Sequence, residues 1–413
     1  MSEFAARIME RSSNAHWRFW IVASCFAGSL LFLLFQGGKL AFMMFIIMFV
    51  LTVYLTLGKW SGIARTEGSR KISGLAPDAS TEAGTTLTIA ISAQIPGFWP
   101  IPYVLIKDRL QRRSGGEHLF EASFVPDWKR RGIVEYQTPP LRRGFYTFRT
   151  TDCSTEDVFG IFEHTGRVEL KQNFIVYPRT VPIKEWKQLH QMLKGLHHHS
   201  TTTRALRETT QINGVREYIY GDRLSRIHWN ATAKTGTWKS KEFERESLPK
   251  TIIVLDRELK QYKDAEQFEL AVSIAASLLQ YGTQRELAVG LLSVGGESTY
   301  FEPRSGHSHL KSMLKHMVEV EANGQQTLMK AMTDRSRLFA PGSFVAVVSP
   351  QRGEAMLQTL AWLEHRQLNP CHMWIGQQDD GRDKWMQQLR VSGYVGYPIA
   401  SLSELPHVLG GRG

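Results

Sequence analysis

The chain has 413 residues, more than one ordinary hydrophobic core accommodates, so two or three domains are expected. With 42% hydrophobic and 22% charged residues it has the composition of a folded protein, which excludes a disordered or fibrous one. The formal net charge of +11 admits nucleic acid, anionic lipid or acidic proteins as partners and selects none of them, and three scattered cysteines without a CxxC pair argue against a disulfide framework.

Two uncharged runs come first. Residues 19–35 read FWIVASCFAGSLLFLLF and residues 40–57 read LAFMMFIIMFVLTVYLTL. As helices rising about 1.5 Å per residue, each is about long enough to cross the hydrocarbon core of a bilayer. Only QGGK separates them, which implies a tight hairpin, and Trp17, Trp20, Tyr54 and Trp60 fall near the interfaces where amphipathic rings are favoured. A cleaved signal peptide is the rival reading, but a second span follows at once and no A-x-A-like site intervenes. Arg7, Arg11 and Arg18 precede the first span; Lys59, Arg65, Arg70 and Lys71 follow the second, and the turn carries only Lys39. Positive-inside bias therefore puts both termini in the cytoplasm, with residues 1–58 as tail and transmembrane hairpin in the inner membrane.

The Gly/Ser-rich residues 59–84 read as a linker. Over 85–182, short β-type runs such as LTIAISA, YVLIKDRL, IVEYQTP and FIVYP, separated by turn signals, predict an antiparallel β-sandwich. Residues 183–248 read as an irregular connector holding a short helix. From 249 to 413, strand runs (TIIVLD, ELAVGLLSVG, STYFEP, SFVAVVSP, PCHMWIG, YVGYPIA) alternate with helical stretches, among them 309–321, 326–339, 355–367 and 383–391. That alternation predicts an α/β, Rossmann-like domain with a mainly parallel sheet. Neither GxGxxG nor GxxxxGK[ST] follows its first strand, so no nucleotide site is expected.

The densest unusual stretch is Val215–Glu246, VREYIYGDRLSRIHWNATAKTGTWKSKEFERE. Upstream lie RRGFYTFRTTDCSTEDVFGIF at Arg142–Phe162 and VYPR at Val176–Arg179. Together these resemble the bacterial family called domain of unknown function 58. Its core, R-x-Y-x-x-G-D-x-x-R-x-I-x-W-x-x-x-A, maps here to Arg216, Tyr218, Gly221, Asp222, Arg226, Ile227, Trp229 and Ala233. One departure is Val158 in Asp157-Val158-Phe159-Gly160, where the family favours proline. The resemblance spans the chain and implies a final domain of the von Willebrand factor A type. It also implies partners: a MoxR-type AAA+ ATPase and a transglutaminase-like membrane protein, in systems that mature proteins or envelope complexes.

Two physical roles fit the core motif. Arg216, Arg226 and an exposed Trp229 can form a docking surface for a partner protein. Alternatively the segment is an interdomain strap, with Asp222 paired to an arginine, Trp229 filling the junction and Gly221 supplying a turn with positive φ. The resemblance further implies a divalent-cation loop, D-x-S-x-S, after the first strand of the A-type domain. Here Asp256 is in place, but Glu258 and Lys260 replace the two serines, and an ammonium repels a cation. No aspartate follows in VVSPQRGE. The site reads as degenerate; no metal and no cofactor is expected.

His197, His198 and His199 read as a solvent-exposed turn, and Cys153 near His164 as a buried thiol. The chain lacks G-x-S-x-G and H-E-x-x-H. The leading expectation is thus a membrane-anchored, non-enzymatic adaptor on the lipid bilayer that presents its A-like domain to the ATPase. A hydrolase using Asp222, Arg226 and His228 is the alternative, followed by a basic module for anionic lipid or nucleic acid; specific nucleic-acid binding is not expected.

Overall fold

The computed structural model describes residues 2–197, 208–220, 224–245, 250–377 and 380–410. The chain divides into two compact units, Met1–Tyr177 and Pro178–Gly413.

The first unit opens with helices α1 (Ser2–Gln36) and α2 (Gly38–Leu57). The chain breaks between them at Gly37 alone, whose φ of 58° is a region that suits glycine, so the turn is tighter than the four residues QGGK. The apolar windows Trp17–Gln36 and Gly38–Leu57 are long and apolar enough to cross a membrane, and 6% and 11% of each is buried. Their side chains point outward instead of filling a core. Where the helices touch, Phe26 packs against Phe45 and Phe49.

Ten strands follow: β1 (Glu67–Ser73), β2 (Ser80–Glu82), β3 (Thr88–Gln94), β4 (Val104–Arg112), β5 (Glu117–Phe124), β6 (Arg131–Gln137), β7 (Gly144–Phe148), β8 (Thr151–Glu156), β9 (Glu163–Val168) and β10 (Gln172–Tyr177). One sheet has the order β1-β3-β6; the other runs β2-β10-β7-β4-β8-β9, with β5 paired to β4. Pairing is antiparallel except between β2 and β10. Strict alternation of buried and half-buried residues along β3 and β4 turns Ile89, Ile91, Val104, Ile106 and Leu110 into one core with Tyr146, Phe148 and Phe174.

Residues 59–84, expected as a linker, therefore contain two strands, and β1 carries a buried charge. Arg70 donates to Asp108 at 2.6 Å, both side chains being shielded from solvent, and its guanidinium lies 4.1 Å from the Phe148 ring centroid. Tyr136 and Thr151 hydroxyls also donate to the Asp108 carboxylate. A buried carboxylate is tolerated only with this many donors. The motif turns are built the same way. Tyr146 of RGFY is buried and donates its hydroxyl to Arg142 O at 2.9 Å. In Asp157–Gly160 the aspartate carboxylate accepts from Phe159, Ile161 and Phe162 amides, and Gly160 takes φ 64°.

The second unit contains α3 (Lys187–His197), strand β11 (Glu208–Glu217), a short helix α4 (Trp229–Thr235) and β12 (Lys239–Arg245), which pairs antiparallel with β11. Then come β13 (Thr251–Asp256), α5 (Ala265–Gln284), β14 (Val289–Val294), β15 (Thr299–Arg304), α6 (His307–Glu319), α7 (Leu328–Thr333), β16 (Phe344–Ser349), α8 (Glu354–His365), β17 (Asn369–Ile375), α9 (Asp380–Val391), β18 (Val395–Ile399) and α10 (Leu405–Gly410). Strands β13 to β18 form a sheet of order β15-β14-β13-β16-β17-β18, parallel except for the antiparallel edge strand β15. Strands β13, β14 and β16 are buried throughout, as sheets covered on both faces require. One face packs on Trp186, Leu189, α5 and α6; the other packs on α7, α8 and α9.

Two expectations change here. Residues 183–248 are not an irregular connector: Trp186 and Leu189 belong to the core of the sheet, and the rest forms the β11–β12 hairpin. The expected helix 326–339 shortens to α7 and a single 3-10 turn at Ser336–Leu338.

Candidate functional site

Two places in the second unit collect the residues singled out in the sequence. The first is the excursion between β11 and β12. Its base is closed by backbone: Tyr218 N donates to Trp238 O at 2.9 Å, His228 N to Lys239 O at 2.8 Å, and Ile227 bridges Ser240. Ile227 and Ser240 are buried, so the isoleucine of the motif is the inward anchor. His228 caps α4, its Nδ1 accepting from Ala231 N at 3.1 Å, and Gly236 at φ 71° ends it. A ring that accepts at Nδ1 carries its proton, when neutral, on Nε2.

With the base fixed, the remaining apolar side chains face solvent. Tyr220 is 99% exposed, Trp229 and Leu224 65%, Ile219 62% and Trp238 53%. Tyr218 is half-buried, its ring meeting Trp238 edge-on at 5.6 Å. Arg216 and Arg226 are half-buried, and Lys239 pairs with Glu217 at 3.2 Å. Trp229 is thus among the exposed rings of the excursion. Gly221 and Asp222, together with His198 and His199, lie outside the described residues, so the pairing expected of Asp222 and the proposed Asp222/Arg226/His228 cluster lie there in part.

The second place is the carboxyl end of the parallel sheet. Strand order reverses at β13/β16, the position where open α/β sheets form a crevice. Asp256 ends β13 there, fully buried, and both its oxygens are occupied: Oδ1 accepts from Glu258 N at 3.0 Å and Oδ2 from the Ser349 hydroxyl at 2.7 Å. Burial lifts its carboxyl to about 6, against the two hydrogen bonds, which lower it. Glu258 is buried beside it, its Oε2 without a hydrogen-bond partner, while Lys260 is exposed in the following turn.

Arg257 is buried and spends its guanidinium on Glu321 O at 2.8 Å and Asn323 Oδ1 at 2.8 Å. Behind Ser349, buried His372 donates Nε2–H to Ser349 O at 3.1 Å, and burial lowers it to about 4, so it stays neutral. Among the described residues, no group of three or more His, Cys, Asp or Glu side chains converges as metal ligands. The crevice is therefore closed by the protein's own donors, whereas the hairpin excursion presents unsatisfied apolar surface.

Sequence reasoning found Trp229 and Asp256 and missed Tyr220, Trp238, Ser349 and His372. The aromatic density of YIY and the two tryptophans in an otherwise polar stretch was the available signal for the first pair. Nothing local marks Ser349 or His372, because their roles arise only when β16 and β17 are laid beside β13.

Residues 214–368 match the model of a family described as protein of unknown function DUF58. An uncharacterised protein of Bacillus subtilis (strain 168), YeaD, is 26% identical over 313 residues, covering 73% of this chain and 74% of that protein. Among solved structures, proximal thread matrix protein 1 from the mussel byssus overlaps 39% of this chain and 45% of its own at 17% identity and TM-score 0.30. A superoxide reductase from Ignicoccus hospitalis overlaps 26% of this chain and 79% of its own at 15% identity and TM-score 0.17. Overlaps so low transfer neither fold nor function.

Proposed function

Because the chain belongs to the DUF58 family through residues 214–368, we propose that it is a membrane-anchored, non-enzymatic adaptor whose family motif docks a cytoplasmic protein partner. The observation that carries this reading is the exposure of Tyr220, Trp229, Leu224 and Ile219 on a loop whose base is rigidly closed. A folded protein rarely leaves this many large apolar side chains in water along one short excursion unless something covers them. Tyrosine, tryptophan and arginine are also the residues that dominate binding energy at protein interfaces. Arg216, Arg226, Lys234 and Lys241 beside them favour an acidic partner surface. The family resemblance nominates a MoxR-type AAA+ ATPase as that partner, with a transglutaminase-like membrane protein in the same system.

In this reading the first unit's strands form a sandwich, and the second unit is of the von Willebrand A type with its cation loop replaced. The two apolar helices hold the chain at the inner membrane with both termini cytoplasmic, which brings the hairpin loop to a soluble ATPase. A titration of the full chain, in detergent or nanodiscs, with the ATPase tests it. A saturable complex at micromolar or tighter concentration is expected, and Tyr220→Ala with Trp229→Ala should weaken it at least tenfold, about 1.4 kcal/mol or more. Absence of a complex, or equal binding by the variant, refutes the proposal.

A further inference from the structure

The first unit carries a second set of exposed aromatic tips, and these lie beside the membrane helices. Tyr54, in the last turn of α2, meets Trp99 at 5.7 Å and Phe159 at 6.0 Å between ring centroids, and Val158 N donates to its hydroxyl at 3.4 Å. Arg18, at the matching end of the α1 span, donates to Gly160 O at 3.1 Å. Arg130 joins a third loop to the same place, its guanidinium donating to the carbonyls of Ser61, Trp99 and Ile95. The loops between β3 and β4, β5 and β6, and β8 and β9 are thus pinned to one end of the helical hairpin.

What these loops project outward is apolar: Trp128 is 104% exposed, Phe98 74%, Val158 68% and Phe159 61%. Lys129 and Arg131 follow Trp128 and Asp127 precedes it, all three exposed, with the Asp127 carboxylate accepting from Arg131 N at 2.8 Å, so the turn carries two exposed cations to one carboxylate. The Asp157 carboxylate is tied up by three backbone amides, so the Val158–Phe159 tip carries no free acidic group of its own. Trp17, Trp20 and Trp60, all more than 60% exposed, stand at the same end of the helices.

We infer that these three loops form a peripheral membrane contact, with Trp128, Phe98 and Phe159 set into the headgroup region of the leaflet that the helix ends reach. Aromatic rings with an apolar body favour that depth, and flanking lysine and arginine add attraction to anionic lipid. The hairpin supplies the leaflet: loops bonded to Tyr54 and Arg18 cannot be far from the surface those residues mark. The inference rests on the reading of α1 and α2 as membrane-spanning.

The test uses the full chain, one copy per nanodisc, with phosphatidylcholine and phosphatidylglycerol, in a Cys25→Ser background. Spin labels go on Trp128→Cys and Phe159→Cys, with Ile47→Cys in α2 as the deep reference. Ser114→Cys is the aqueous reference: it lies beyond the far end of β4, whose nine residues span roughly 30 Å from the Val104 end near Trp99. Collision with oxygen and with a nickel chelate should place labels 128 and 159 within about 10 Å of the headgroup–acyl boundary, and label 114 in water. Labels 128 and 159 as nickel-accessible as 114, with 47 deep, overturn the inference and leave the spans standing. Label 47 in water overturns both. Shielding of 128 that appears only with two chains per disc assigns the patch to a second copy and also overturns it.

Discussion

Substituting Asp256→Asn should stabilise the second unit at neutral pH. Asparagine keeps the shape: Oδ1 still accepts from Glu258 N, and Nδ2 donates to the Ser349 hydroxyl, which already accepts from Gln351 N and gives up the acceptor for its own proton, an offset of about 1 kcal/mol. What disappears is the cost of ionising a fully buried carboxyl. Its value rises from 3.8 to about 6 on folding, so the native state favours the protonated form. The contribution of this group is then greatest below pH 3.8 and is lost as pH rises through about 6. A rise from 3.8 to about 6 corresponds to about 3 kcal/mol at 1.36 kcal/mol per pH unit. With the offset deducted, the variant should therefore gain up to about 2 kcal/mol at pH 7.5 and lose about 1 kcal/mol at pH 4. Urea titrations of the full chain, read by hydrogen exchange of peptides covering β13 and β16 at both pH values, measure it. Loss of stability at pH 7.5 refutes the reasoning. So does protection by millimolar magnesium of the wild-type chain and not of the variant, since that requires an ionised Asp256 serving as a ligand.

The Asp256→Asn background also isolates His372, whose value falls from 6.5 to about 4 by burial. Its contribution is present above pH 6.5 and is lost as pH falls through about 4, up to about 3 kcal/mol, so the variant should weaken steadily on acidification in the same urea titrations while the wild type stays flatter. In the first unit, Arg70→Met leaves Asp108 buried without its cation and should cost about 3–5 kcal/mol, read as exchange of β3 and β4 amides. By contrast, Tyr220→Ala with Trp229→Ala removes exposed side chains and should change stability by about 0.5 kcal/mol or less while weakening partner binding at least tenfold.

The parts of the fold that were legible follow from strong periodicity. The helical hairpin is marked by two long uncharged runs, and β13, β14 and β16 by continuous apolar ones. Strand β1 was hidden because it is an edge strand with a largely exposed pattern, and its buried residue is Arg70. A charge reads as a surface signal until its partner, 38 residues away, is folded over it. The β11–β12 ribbon was hidden for a related reason: GVRE and KSKEFER are polar on both faces, so no alternation announces them. The edge strand β15 was read as a strand but not as antiparallel, since direction is set by the short GGES connection and by pairing, not by composition. For the candidate site, the motif spacing located the hairpin excursion but not which side chains face inward. That Ile227 is buried and Trp229 exposed is decided by the Ile227–Ser240 bridge, a contact 13 residues apart.

In the proposed function an exposed aromatic loop, held at the cytoplasmic face of a membrane, captures an ATPase. Labelling of Ser225→Cys, exposed in the same loop beside Leu224, by a membrane-impermeant maleimide tests it most directly, since Cys153 and Cys371 are buried and Cys25 lies within the first span. Modification in inside-out vesicles, none in intact spheroplasts, and protection when purified MoxR-type ATPase is added are the expected results. Modification in intact spheroplasts, or labelling that the ATPase leaves unchanged, would contradict it.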